Sequence, residues 1–385
     1  MDVRAIIIVA PPAEGPAEQF AGIPIALLDV LGKPMVQHVA ERLRRQGVDE
    51  VAIIAATSGG DALAAARTLS LAGVAWHVTE PGEEWRAAEQ VFSEFAQNGA
   101  EVVLALRLGP YAEIDYDHLV QFHLDSGARV TAAVRDGVEF GVFAISASRR
   151  NDAAFLFRHR FTECRVPCTQ YPFQGYGNAL ATAHDLRELA RDGLMQRIGL
   201  KPAGRELKPG VWAGEGARID RGARLLAPSF IGARAVIRAS AVVTRCSSVE
   251  RYAEVDCGSV VDEASVLPFT YIGAGLDVVR SVTGFRRVAD LKRNVEVEFT
   301  DPHLVGVISI HAPVRALASA ASLVAFLPKQ IFLGFFRKSR RERPSDLPAA
   351  VHTPAAALQS PDLDRSAERA EFPSNLAVAR RYGNE

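Results

Sequence analysis

Residues 217–271 read ARIDRGARLLAPSFIGARAVIRASAVVTRCSSVERYAEVDCGSVVDEASVLPFTY. Every sixth residue is aliphatic: Ile219, Leu225, Ile231, Ile237, Val243, Val249, Val255, Val261 and Leu267. Two positions ahead of each stands a small residue: Ala217, Ala223, Ser229, Ala235, Ala241, Ser247, Ala253, Ser259 and Ser265. A helix repeats every ~3.6 residues and a flat strand every ~2, so neither alone produces a strict period of six. A coil of short parallel strands does. Each unit makes one side, three sides close a turn, one aliphatic side chain per side points inward, and the small residue lets the chain bend at the corner. The nine units predict about three turns of a left-handed parallel β-helix over residues 207–285, with Ile231, Val249 and Leu267 stacked on one inward edge. A coil that short has open ends. Val295–Phe299 and Val305–Ile310 are the strands expected to cover one of them.

Upstream, residues 1–200 alternate apolar runs with helical spacing. Strands are expected over 4–10, 51–56, 75–78, 101–106, 130–134 and 140–145, and helices over 34–46, 61–71, 84–97, 116–126 and 184–192. Such alternation predicts an α/β domain built on a parallel sheet.

Downstream, residues 286–343 form an extension whose segment Ala316–Phe336 is apolar, with Lys329 its only charge. A basic flank follows: Arg337, Lys338, Arg340, Arg341 and Arg343. Pro328-Lys329-Gln330 interrupts the apolar run, which argues against a membrane crossing. Two readings stay open for Ala316–Arg343: peripheral contact with anionic lipid, or a helix packed on protein. Residues 344–385, rich in Ala, Pro and charge without periodicity, are read as a disordered tail.

The formal net charge of −1 gives no global electrostatic case for nucleic acid. The cysteines, Cys164, Cys168, Cys246 and Cys257, have no zinc-ligand spacing and read as reduced thiols. A strand begins within three residues of Met1 and no signal-peptide pattern precedes it, so a cytoplasmic protein is expected, with or without contact at the inner membrane face. Hexapeptide coils also occur in acyltransferases that use a histidine on the coil as base, but all nine histidines lie outside 207–285.

Ile25-Ala-Leu-Leu-Asp-Val-Leu-Gly-Lys-Pro-Met-Val-Gln-His-Val39 and Gly47-Val-Asp-Glu-Val-Ala-Ile-Ile54 resemble the start of the sugar-1-phosphate nucleotidyltransferases, the sugar-nucleotide pyrophosphorylases. Gly141-Val-Phe-Ala-Ile-Ser146 is similar to that family's Gly-Ile-Tyr-Val-Phe-Ser strand. Gly175-Tyr-Gly-Asn-Ala-Leu-Ala-Thr182 is similar to its Gly-Tyr-Trp-x-Asp-Ile-Gly-Thr. In the mannose-1-phosphate guanylyltransferase branch a hexapeptide β-helix follows in the same order, so the resemblance covers about residues 4–285. It implies a Rossmann-like nucleotidyltransferase domain, a sugar nucleotide as ligand, and Lys33, Gly141, Gly175 and Tyr176 as ligand-binding positions. Lys33 also reads as a solvent-exposed helix-entry lysine, and His123 as a structural hydrogen-bonding group.

The departures from the family bear on activity. The family's phosphate loop, Gly-Gly-x-Gly-Thr-Arg followed by Pro-Lys-Pro, holds the triphosphate with backbone N–H groups and two cations. Here Pro11 and Pro12 replace the two glycines, and proline has no N–H to give. Residues 5–32 contain no Lys or Arg, Pro24-Ile25-Ala26 replaces Pro-Lys-Pro, and Glu14 and Glu18 would repel phosphate. The two aspartates that hold Mg²⁺ in the family are also missing: residues 104–110 carry no carboxylate, Asp115 lies beyond the matching position, and Ala179 stands at the second. The segment between Val134 and Gly141, which carries a Glu-Lys-Pro in the family, is only six residues long.

The sequence therefore reads as a family member without catalytic or metal-binding residues, a structural or regulatory protein of bacterial nucleotide-sugar or polysaccharide metabolism. Homo- or hetero-oligomers through the flat faces of the β-helix are expected. The alternative is an active enzyme that uses Mg²⁺ to make a GDP-mannose-like sugar nucleotide from a nucleoside triphosphate and a sugar-1-phosphate.

Overall fold

The computed structural model describes residues 1–9, 19–20, 23–24, 27–56, 73–161 and 166–308. Pro11, Pro12, Glu14, Glu18, Ile25, Ala26 and Cys164 lie outside these residues, as do the helix expected over 61–71, the Ala316–Arg343 segment and the 344–385 tail.

The main sheet has seven strands: β1 (Val3–Val9), β2 (Glu50–Ala56), β3 (Val74–Thr79), β4 (Val102–Arg107), β5 (Val130–Arg135), β6 (Val138–Ser146) and β7 (Cys168–Pro172). Their order is β7-β5-β6-β4-β1-β2-β3. β1 pairs in parallel with β2 on one side and β4 on the other. Covered on both faces, β1 is apolar almost throughout, and Ala5 to Ile8 are inaccessible to solvent. β6 departs from the all-parallel expectation and runs antiparallel to β4 and β5. The cause is local: only Asp136 and Gly137, both at positive φ (52° and 79°), separate it from β5, and a two-residue link makes a hairpin, whereas a parallel strand needs a crossover.

Five described helices flank the sheet: α1 (Met35–Arg45), α2 (Glu84–Gln97), α3 (Tyr116–Asp125), α4 (Arg150–Arg158) and α5 (Ala183–Leu194). α4 and β7 were not expected from the sequence. α2 and α4 close one core through Trp85, Phe92, Leu156 and Phe157. α1, α3 and α5 contribute Leu43, Leu119 and Leu189 to the other. Among the described residues no helix is long and apolar enough to cross a membrane.

Beyond Lys208 the chain winds through three sheets of short, mostly parallel strands. Inward columns run Ala213–Ile231–Val249–Val266, Ile219–Ile237–Val255–Ile272 and Leu225–Val243–Val261–Val278. Leu267 is not in the first column. Ile231 pairs with Val249 eighteen residues on, but Val249 pairs with Val266, seventeen on. One residue is lost between Asp262, which pairs with Thr244, and Ser265, which pairs with Ser248. A slip of one residue turns a side chain to the other face. Val266 therefore fills the coil core, and Leu267 turns outward into the core shared with the α/β domain.

At the far end, Val305–Val307 adds to one coil sheet antiparallel to Thr270–Ile272, and Val295–Glu298 extends another through Arg287–Asp290.

The corners of the coil turn at residues with left-handed φ, and several are not glycine: Arg234, Tyr252 and Phe269 have φ of 56°, 57° and 58°. A side chain there is strained. Stacking offsets part of that cost: the Tyr252 and Phe269 rings lie 5.1 Å apart at 13°, and the Arg234 guanidinium sits over Tyr252.

Candidate functional site

In an open α/β sheet the crevice lies beyond the carboxyl ends of the strands, where the strand order reverses. Here that point lies between β1 and β4. Past the end of β4, Leu108 donates its N–H to Ile8, and Tyr111–Ala112 pairs antiparallel with Gly177–Asn178. The cleft beside this ribbon measures about 270 Å³ and is lined by Arg135, Tyr176, Asn178, Ala179, Asp185 and Glu188, with Gly177 and Asp192.

The residues read from the sequence are placed as follows. Tyr176 lines the cleft; its hydroxyl donates to Asp192 Oδ2 at 3.1 Å, and burial pushes its pKa up to about 12. Gly175 precedes it without a side chain because a Cβ there would sit 1.9 Å from the Glu113 carbonyl oxygen. Gly141, on β6, has φ of +66°, and a Cβ would lie 2.9 Å from the Arg107 carbonyl oxygen. The two glycines thus have packing causes of their own. Lys33 is not among the cleft residues. It sits on the hairpin of Asp29–Val30 and Lys33–Pro34, and its Nζ meets both Glu41 carboxylate oxygens at 2.7 and 2.8 Å. His123 is buried, with Nδ1 2.8 Å from Thr131 Oγ1 and Nε2 3.0 Å from Ser146 Oγ, so it ties α3 to β5 and β6.

The cleft carboxylates are already engaged. Asp185 Oδ2 accepts the N–H groups of Ala181 and Thr182 at 3.0 Å each, while the Thr182 hydroxyl accepts from Asp185 N: a capping box at the start of α5. Glu188 pairs with Arg191 at 3.2 Å, and Asp192 with Arg197 at 3.4 Å. Mg²⁺ prefers several free hard oxygens in octahedral array. With Ala179 at one expected ligand position and these carboxylates bonded to α5 and its flank, the described cleft residues do not suit that ion.

Arg135, Asn178, Asp185, Glu188 and Asp192 were not singled out from the sequence. The three acids stand three and four residues apart on one helix, a spacing that puts them on one face and was readable. A larger open groove of about 680 Å³ lies on the other face of the sheet between α2 and α4, where Arg158 spans to Glu89 at 2.9 Å. It holds none of the strand ends that place chemistry in such a fold, so the smaller cleft is the candidate site.

No protein-family model matches the chain, and no curated protein matches it.

Proposed function

We propose that this chain is a non-catalytic relative of the sugar-1-phosphate nucleotidyltransferases: a nucleotidyltransferase-like domain followed by a left-handed β-helix, acting as a structural or regulatory protein in bacterial nucleotide-sugar or polysaccharide metabolism. The observation that carries the reading is Ala179 in the cleft, with the neighbouring carboxylates bonded to their own helix. Pro11 and Pro12 support it from the sequence, because neither has a backbone N–H for a triphosphate. In such enzymes the metal and the oriented donors neutralise charge on the transferred group, each contributing about two orders of magnitude in rate. Arg135, which lines the cleft, remains as a hydrogen-bonding group for the sugar end of a sugar nucleotide, while Tyr176 and Asn178 are tied to Asp192, Asp185 and Leu180.

Pyrophosphate release, measured at high protein concentration with Mg²⁺ across the common nucleoside triphosphates and sugar-1-phosphates, is expected to stay at background. Turnover near ~1 s⁻¹ would overturn the reading, because that is an ordinary enzyme rate. A panel of sugar nucleotides in thermal denaturation reports binding separately, since a ligand of the folded state raises its stability.

A further inference from the structure

The tip of the 29–34 hairpin rests on the coil. Leu31 and Gly32 form its turn, at φ of 53° and 95°, and their adjacent N–H groups both donate to the Glu250 carboxylate, at 2.9 and 2.8 Å. Ala203 N donates to Leu31 O at 2.9 Å, and a Cβ on Gly32 would meet the Phe230 ring at 2.8 Å. Beside this contact, Arg251 Nη2 donates to Asp29 Oδ1 at 2.9 Å. Arg251 Nε lies 2.7 Å from Asp29 Oδ2 as an ion pair, but in poor hydrogen-bond alignment. All three side chains are sealed: Asp29 and Glu250 are 2% exposed and Arg251 9%.

Fully ionised, the cluster holds two negative charges and one positive. An uncompensated buried charge is costly, and taking up a proton relieves it. We propose that Asp29, Glu250 and Arg251 form a proton-operated clasp, in which the carboxylate pair is protonated while the α/β domain is seated on the coil and gives up its proton as the seat loosens.

Among the described residues the surroundings supply no other counter-charge. Arg251 is the charged group acting on Asp29, and Glu250 feels Asp29, Arg251 and the two N–H groups. From α1, His38 Nε2 lies 2.9 Å from Val30 O, and burial lowers its pKa to about 4, so it is neutral. Lys33 on the hairpin is tied to Glu41, and Arg187 of α5 donates to Glu263 O on the coil. Burial pushes Asp29 up to about 7 against the pull of Arg251; burial and then Asp29 push Glu250 up to about 8. An acid raised above its unfolded value (~4) binds its proton more tightly when folded. The stability this contributes is full below about pH 4, declines as pH rises, and is gone above about pH 8.

The test is the melting temperature of the full chain between about pH 5.5 and about pH 9, for wild type and Glu250→Gln, which cannot ionise. Wild type is expected to lose melting temperature toward alkaline pH, and Glu250→Gln to lose less than half as much. Parallel curves would overturn the clasp. Infrared spectroscopy of the wild type reads the proton directly and needs no variant to fold. A protonated-carboxyl band at about pH 6 that vanishes by about pH 9.5 is expected, and its absence overturns the proposal.

Discussion

The cleft and the junction with the coil both gather carboxylates, and they satisfy them at different ranges. In the cleft, Asp185 is held by N–H groups three and four residues away, Glu188 by Arg191 and Asp192 by Arg197. At the junction, Glu250 finds its donors 219 and 218 residues back in the chain, and Arg251 finds Asp29 222 residues back. Asp185 shapes the start of one helix and Glu188 pairs within it, as they would in many folds, and Asp192 reaches no farther than Tyr176, sixteen residues back. The junction acids have partners only when both domains are built and seated. Polar groups satisfied within a turn of helix say little about tertiary structure; groups satisfied across two hundred residues, away from water, help to define it.

Three substitutions probe that contrast. Val249→Asp puts a carboxylate one residue from Glu250, at a site 0% exposed in the coil core, with no hairpin donors to meet it. It is expected to cost about 5 kcal/mol or more, read as loss of the cooperative melt. A mild effect would mean that the junction tolerates charge for reasons other than its donors. Arg251→Met leaves Asp29 buried beside Glu250 without its cation, and urea denaturation is expected to show a loss of about 3 kcal/mol near neutral pH. Asp29 is already raised, and without Arg251 it would rise further, so the loss is expected to shrink at about pH 5, where Asp29 can hold a proton. A loss that does not change with pH would break the electrostatic account. Thr182→Ala removes one half of the capping box and is expected to cost only about 1 kcal/mol by the same measurement. A cost as large as that of Arg251→Met would place long-range weight on the cleft.

Much of the architecture was legible because it is periodic. The six-residue series marked nearly every inward position of the coil, since each side repeats the same bend and the same burial. Leu267 has the spacing of an inward residue because its neighbours keep the alternation of small and aliphatic residues while the chain drops one residue near Glu263; Val266 and Leu267 are both aliphatic, and only pairing tells them apart. α4 escaped because Arg149 at its N-cap makes no side-chain bond and the helix is nine residues long, so neither a cap nor a long stripe announces it. In the site, a short motif points to Tyr176, which lines the cleft, while the acidic face of α5 carries only its spacing. The clasp had no local signature at all, because nothing near Asp29 in the chain points to Arg251.

The capture of Glu250 by Leu31 and Gly32 has a further consequence. Two adjacent backbone N–H groups aimed at one carboxylate are a small anion receptor. Its guest belongs to the same molecule. A tethered guest acts at an effective concentration of ~mM even on a flexible linker. Free phosphate or acetate at lower concentration would find these donors taken. A pair of N–H groups that could receive an anion is spent on keeping the protein's own halves together.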